Sequence, residues 1–190
     1  MDNLLGYISI IISIVANIWY LRSLFRGETK PHAFSRFIRA IMTGTAFFAQ
    51  RTQTHEIGTR VMGISAVMCL FIAGYGWWRY KIVIEKIDWL YFVCALLGVG
   101  AWYITNTPLR SVIIISITDF LAFLPTFRKV RSDPQGESVW VYGLSALKFV
   151  FALWSFDSFS LVVRLYPMYL IVANTSFVCY TLVRRCYVRK

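Results

Sequence analysis

Acidic side chains are scarce in this chain: 9 Asp and Glu stand against 20 Lys and Arg in 190 residues, and there are only two histidines and four cysteines. Each shortage excludes something. His32 and His55 both fall in turn-like stretches, RGETKPH and RTQTHEIG, without further ligand residues at metal spacing. Cys69, Cys94, Cys179 and Cys186 form no CxxC pattern and read as small apolar residues, so neither a metal centre nor a disulfide framework is expected. No HExxH, GxSxG or phosphate-binding glycine loop occurs, and no two carboxylates share an apolar segment. The expectation is therefore a protein that is not an enzyme, with no cofactor and no ATP-driven step. Charge of any kind is also short, at 15%, while 58% of residues are hydrophobic and the mean hydropathy is +0.60. A soluble domain of this length has too little core to hide that much apolar surface.

What is present is a series of apolar segments of membrane-crossing length. They run roughly Asn3–Leu21, Ala33–Gln50, Thr59–Trp78, Trp89–Ile104, Ser111–Phe127, Val139–Phe156 and Phe159–Val183. The connections are short and carry turn or charge signals, so consecutive helices should lie antiparallel. The start, MDNLLGYISI, has an acidic flank and no A-x-A site follows, which reads as an uncleaved first helix.

The net charge of +11 would point to nucleic acid in a soluble protein, but here the cations sort by topology. Apart from Lys148, placed mid-segment, only Arg51, Arg60, Arg110 and Arg164 fall at the end shared with the N-terminus. All the other basic residues collect at the opposite end. By the positive-inside rule the N-terminus is outside and the C-terminus cytoplasmic, with anionic lipid headgroups as the electrostatic partner on the cytoplasmic side and no nucleic acid. Trp19, Trp77, Trp78, Trp89 and Trp140 near the basic end, with Trp102 and Trp154 near the other, fit interfacial belts.

The chain also has two similar halves. A gapless displacement brings Ile11 onto Ile117, Ala16 onto Ala122, Arg22 onto Arg128, Ala40 onto Ala146 and Arg79 onto Arg185. The fold expected is all-α and polytopic: seven transmembrane helices in a single membrane domain, with parallel three-helix repeats at 1–84 and 107–190 joined by a linker helix at 85–106. This 3+1+3 plan resembles the SWEET sugar transporters and the wider PQ-loop group, and PnuC-type vitamin transporters share the build. Within FLPTFRK, Pro125 matches the proline of the family's Pro-Gln pair, with Thr126 in place of the glutamine. Asn174, in LIVANTSF, matches a substrate-pocket asparagine of the SWEET proteins. The first repeat departs from the pattern, with Trp19-Tyr20 where a Pro-Gln pair would stand. The resemblance implies a transporter-like fold, which non-transporting receptors also use.

Two intramembrane charges lead the candidate site. Asp119 and Lys148 sit near the middle of their segments, and an ionised group there costs about 2.5–3.5 kcal/mol on insertion scales unless it has a partner or a wet cavity. Antiparallel crossing would bring them to similar depth, as each other's partner, either as a gate or as a static pair. Under the displacement they match Ser13 and Met42, which implies a one-sided polar site. Asn174 and Asn17 are the further substrate-binding or gating candidates, each also readable as a hydrogen bond between helices. Pro125 and Pro167 are candidate hinges. His32, Arg36 and Arg39 cluster at the inner end of the second helix, where they suit lipid phosphate or an anionic solute. Ser65, Cys69 and Ala73 form a small-residue stripe suited to close packing.

The function these features imply is alternating-access transport of a small polar solute (a sugar, nucleoside or vitamin-like molecule) between the repeats. The alternative is a non-transporting membrane receptor or assembly protein of the same fold. A lipid-handling enzyme or scramblase would want polar residues along a lipid-facing groove, for which only His32, Arg36 and Arg39 speak. A homo-oligomer is compatible with the sequence, and the expected location is a bacterial plasma membrane.

Overall fold

Runs of about 20 apolar residues without internal breakers become helices because only a helix satisfies its own backbone within a bilayer. The computed structural model describes residues 2–28, 33–79, 86–105, 107–157 and 159–188. In them the chain forms α1 (Asp2–Phe25), α2 (Ala33–Arg51), α3 (Ile57–Arg79), α4 (Lys86–Thr105), α5 (Pro108–Ser132), α6 (Val139–Trp154) and α7 (Leu161–Val188), with no strand among the described residues. Four of these, α1, α3, α5 and α7, are long and apolar enough to cross a membrane. This is the build of a membrane-embedded, multi-pass protein.

The helix ends follow local chemistry. Gly27 takes φ +71°, and the Gly27 and Glu28 amides donate to the Leu24 and Ser23 carbonyls, closing α1 with a left-handed glycine cap. Pro108 opens α5, where its missing N–H costs nothing, and the Asp133 amide donates to Lys129 O to end it.

Side-chain contacts fix the directions. Ser9 and Ser13 of α1 meet Lys148 of α6, whereas Tyr20 and Leu24 cluster with Val141, so α1 and α6 are antiparallel. Thr43 and Gln50 of α2 bond Tyr166 and Val163 of α7, which makes that pair antiparallel too. Asp119 with Tyr169 and Phe123 with Phe177 make α5 and α7 parallel. Neighbouring helices follow a closed ring, α1–α3–α2–α5–α7–α6 and back to α1, with α3 also touching α6 and α2 touching α7. Helix α4 lies outside the ring, against α5 and α2. Exchanging α1 with α5, α2 with α6 and α3 with α7 maps this pattern of neighbours onto itself.

The largest core cluster joins Ile38, Met42 and Ala46 of α2 to Val61, Ile115, Phe149 and Leu170, from helices all round the ring. The outer surface is equally apolar: Trp78, Trp140, Trp154, Phe159 and Ile104 are all strongly exposed. In water such a surface would aggregate, but lipid solvates it. The same logic revises the cysteines. The expected small buried residues are not fully buried: Cys69 and Cys94 are half-buried, and Cys179 and Cys186 are exposed.

One close approach depends on glycine. A Cβ on Gly58 would collide with Ser155 Oγ and lie 2.9 Å from Ala152 O, where the start of α3 meets the end of α6. Gly58→Ala is expected to lower stability by about 1–3 kcal/mol through overpacking. Gly74→Ala, whose Cβ would meet nothing within 4 Å, is the control and should lose nothing in the same detergent thermal melt.

Candidate functional site

Lys148 lies mid-way along α6 and is 5% exposed, too deep for its stem to carry the ammonium to either end. Its Nζ donates to Ser65 Oγ at 2.8 Å and contacts Ser13 Oγ at 3.4 Å, while the Phe149 ring lies 4.8 Å away. Asp119, fully buried on α5, accepts from Arg39 Nε at 3.3 Å and from Tyr169 Oη at 2.8 Å. The expected Asp119–Lys148 pair therefore does not form. Asp119 faces α2 and α7, whereas Lys148 faces α1 and α3, and each takes partners from the helices beside it. Among the described residues no carboxylate pairs with Lys148.

Arg36 and Arg39 also turn inward rather than out to the headgroups. The Arg36 guanidinium stacks over the Tyr20 ring at 4.8 Å, and that of Arg39 over Phe123 at 4.6 Å. Arg39 has its carboxylate; Arg36 has none among the described residues. The nearby Glu137, buried at the start of α6, is held by Lys129 at 2.7 Å and receives the Tyr142 hydroxyl at 3.4 Å.

These cations border one cavity. It is lined by Arg36, Arg39 and Thr43 of α2, Ser65 and Cys69 of α3, and Lys148 of α6. Helix α1 adds Asn17 and Tyr20, α6 adds Tyr142 and Ser145, and α7 adds Asn174. Its free volume is about 70 Å³. Among the described residues Asn17 Nδ2 and Tyr20 Oη have no hydrogen-bond partner in this buried place, although burying such a group unpaired costs roughly 1–3 kcal/mol. Asn174 Nδ2 donates to Leu170 O at 2.6 Å, one turn back on its own helix, so the amide is not a bond between helices.

Sequence reasoning picked out Lys148, Asn174, Asn17, Arg36 and Arg39, and the structure brings all five to this cavity. Asp119 stands behind Arg39 and is absent from the lining. His32 lies outside the described residues. Helix α5 continues through Pro125. Tyr20, Ser65, Tyr142 and Ser145 were missed as site residues. The available signal was that Tyr142 and Ser145, and again Ser145 and Lys148, are three residues apart and so neighbours on adjacent turns of α6. Ser65 had been assigned to packing.

Pro167 lies inside α7 and leaves the Val163 carbonyl without its usual amide partner. Gln50 Nε2, fully buried on α2, donates to that carbonyl at 2.9 Å. The candidate hinge is thus clasped by α2. Gln50→Leu is expected to cost about 1–3 kcal/mol in a thermal melt by orphaning the carbonyl. In a Pro167→Ala background the carbonyl regains a helical partner, and the penalty should shrink.

Comparison with protein families, curated proteins and solved structures finds no match for this chain.

Proposed function

We propose that this protein is a membrane transporter that moves a small polar solute by alternating access between two triple-helix units, α1–α3 and α5–α7, with α4 as their linker. The observation that carries the reading is the polar cavity inside the ring, bordered by helices of both units and holding buried donors with no protein partner. The exchange symmetry of the ring supports it, because two like units related about an axis along the membrane normal can rock against each other around a central site. In this reading Lys148, Asn174 and Asn17 contact the solute, Asp119 holds Arg39 in place at the cavity wall, and Pro125 and Pro167 let α5 and α7 bend. The basic end of the bundle is cytoplasmic, the N-terminus outside, and the bilayer a bacterial plasma membrane.

The test is uptake by proteoliposomes of the purified protein, screened with radiolabelled sugars, nucleosides, vitamins and small acids. Transport predicts a saturable signal that falls at least about tenfold in Asn174→Leu with reconstitution unchanged. Absence of uptake for every solute, with normal insertion, would favour a receptor or assembly protein of this build.

A further inference from the structure

The cavity carries more positive charge than the protein neutralises. Two cations on its wall, Arg36 and Lys148, have no carboxylate partner among the described residues; Asp119 is taken by Arg39 and Glu137 by Lys129. Arg36 stands in the first turn of α2, which contains no acidic residue, so the positive end of that helix adds to the same potential. Helix pairing shows how the excess arises. The α2–α5 contact sets Arg39 against Asp119, and the exchange-related α6–α1 contact sets Lys148 against Ser13. Ser13 is the residue that matches Asp119 when the two halves are superposed in sequence. In the same superposition Arg39 matches Ser145, one turn from Lys148, so one side of the ring has a cation with its carboxylate and the other has a cation, one turn displaced, facing a hydroxyl.

We propose that the missing negative charge comes from the solute, and that the cavity takes a small carboxylate, held between Lys148 and the Arg36 guanidinium. The inference rests on the transport reading for its biological sense but not for its test. The unpartnered Asn17 Nδ2 and Tyr20 Oη supply neutral donors, and a guanidinium fork matches the planar two-oxygen head of a carboxylate. Size narrows the choice. The free volume of about 70 Å³ is roughly half the ~150 Å³ that accommodates one benzene, which leaves room for about three to five non-hydrogen atoms. That is a short-chain monocarboxylate on the scale of formate or acetate.

The experiment is calorimetric titration of the detergent-purified protein with formate and acetate, alongside nitrate, inorganic phosphate and the neutral amide acetamide, with uptake of labelled acetate in proteoliposomes. The wild type should bind formate or acetate and not acetamide. Ser13→Asp, which gives Lys148 the partner that Arg39 already has, should weaken carboxylate binding at least about tenfold while the thermal melt stays intact. Ser13→Asn, similar in size and uncharged, separates crowding from charge and should lose far less. Equal losses in the two variants would overturn the proposal, as would binding of nitrate or phosphate alone or of acetamide as well as acetate. Acetate binding without uptake would uphold the anion site and overturn transport. Uptake of a neutral solute with no carboxylate binding would do the reverse.

Discussion

Asp119→Asn is expected to destabilise the protein by about 3–5 kcal/mol, the cost of leaving one member of a buried ion pair without its partner. Arg39 would keep its charge at a site where only 12% of its side chain is exposed, and an asparagine amide could not offset it. Tyr169 would keep an acceptor, since the remaining carbonyl can still receive its hydroxyl; that is why Asn tests charge instead of hydrogen bonding. Asp119→Leu combined with Arg39→Met removes both charges together and should recover most of the loss, because a buried pair replaced by apolar residues is often neutral or stabilising. Thermal unfolding of the wild type, Asp119→Asn and the double variant in one detergent checks this. If Asp119→Asn and the double variant melt alike, Asp119 is not Arg39's counter-charge. The charge reversal that matters is Asp119→Arg with Arg39→Asp, a test that the sequence alone would have aimed at Lys148.

Lys148→Met is expected to do the opposite. Here an ammonium is buried among hydroxyls and an aromatic ring with no carboxylate, so its removal relieves desolvation and leaves Ser65 free to keep its bond to Val61 O. Stability should hold or rise by about 1–2 kcal/mol, a shift of roughly 2–8 °C for a chain of this size. Solute uptake should be lost. A site maintained at the expense of stability is the usual mark of function over packing. A large fall in melting temperature would instead make Lys148 a structural staple.

The two charges also show how far the sequence could be read. That Asp119 and Lys148 were costly, central and in need of partners followed from their place in apolar segments. Which partners they take did not, because it depends on the order of helices round the ring. Distance from a helix end can be counted in the sequence, but azimuth cannot: Asp119 faces α2 and α7, whereas Lys148 faces α1 and α3. Of the two readings of Arg36 and Arg39, headgroup or anionic solute, the choice also turned on azimuth. Their position near a helix end suggested headgroups, while the rotation of α2, with Ile38 and Met42 fully buried, carries them inward. The cavity tyrosines were invisible because Tyr20 and Tyr142 look like interfacial aromatics until packing encloses them. That the chain is helical and crosses a membrane more than once was legible, since long apolar runs joined by short turns constrain both. The 106-residue displacement relates Ser13 to Asp119, and in the structure Ser13 lies against Lys148 and Asp119 against Arg39, cations at positions one turn apart under that displacement.

The central claim is that the cavity opens alternately to the two sides of the membrane, and Cys69 on its wall offers the most direct test. With Cys94, Cys179 and Cys186 replaced by serine, a membrane-impermeant thiol reagent is applied to right-side-out and inside-out vesicles. Alternating access predicts that Cys69 reacts from both sides and that a transported solute slows the reaction from each. Reaction from one side only, or from neither while the denatured protein labels fully, would contradict it.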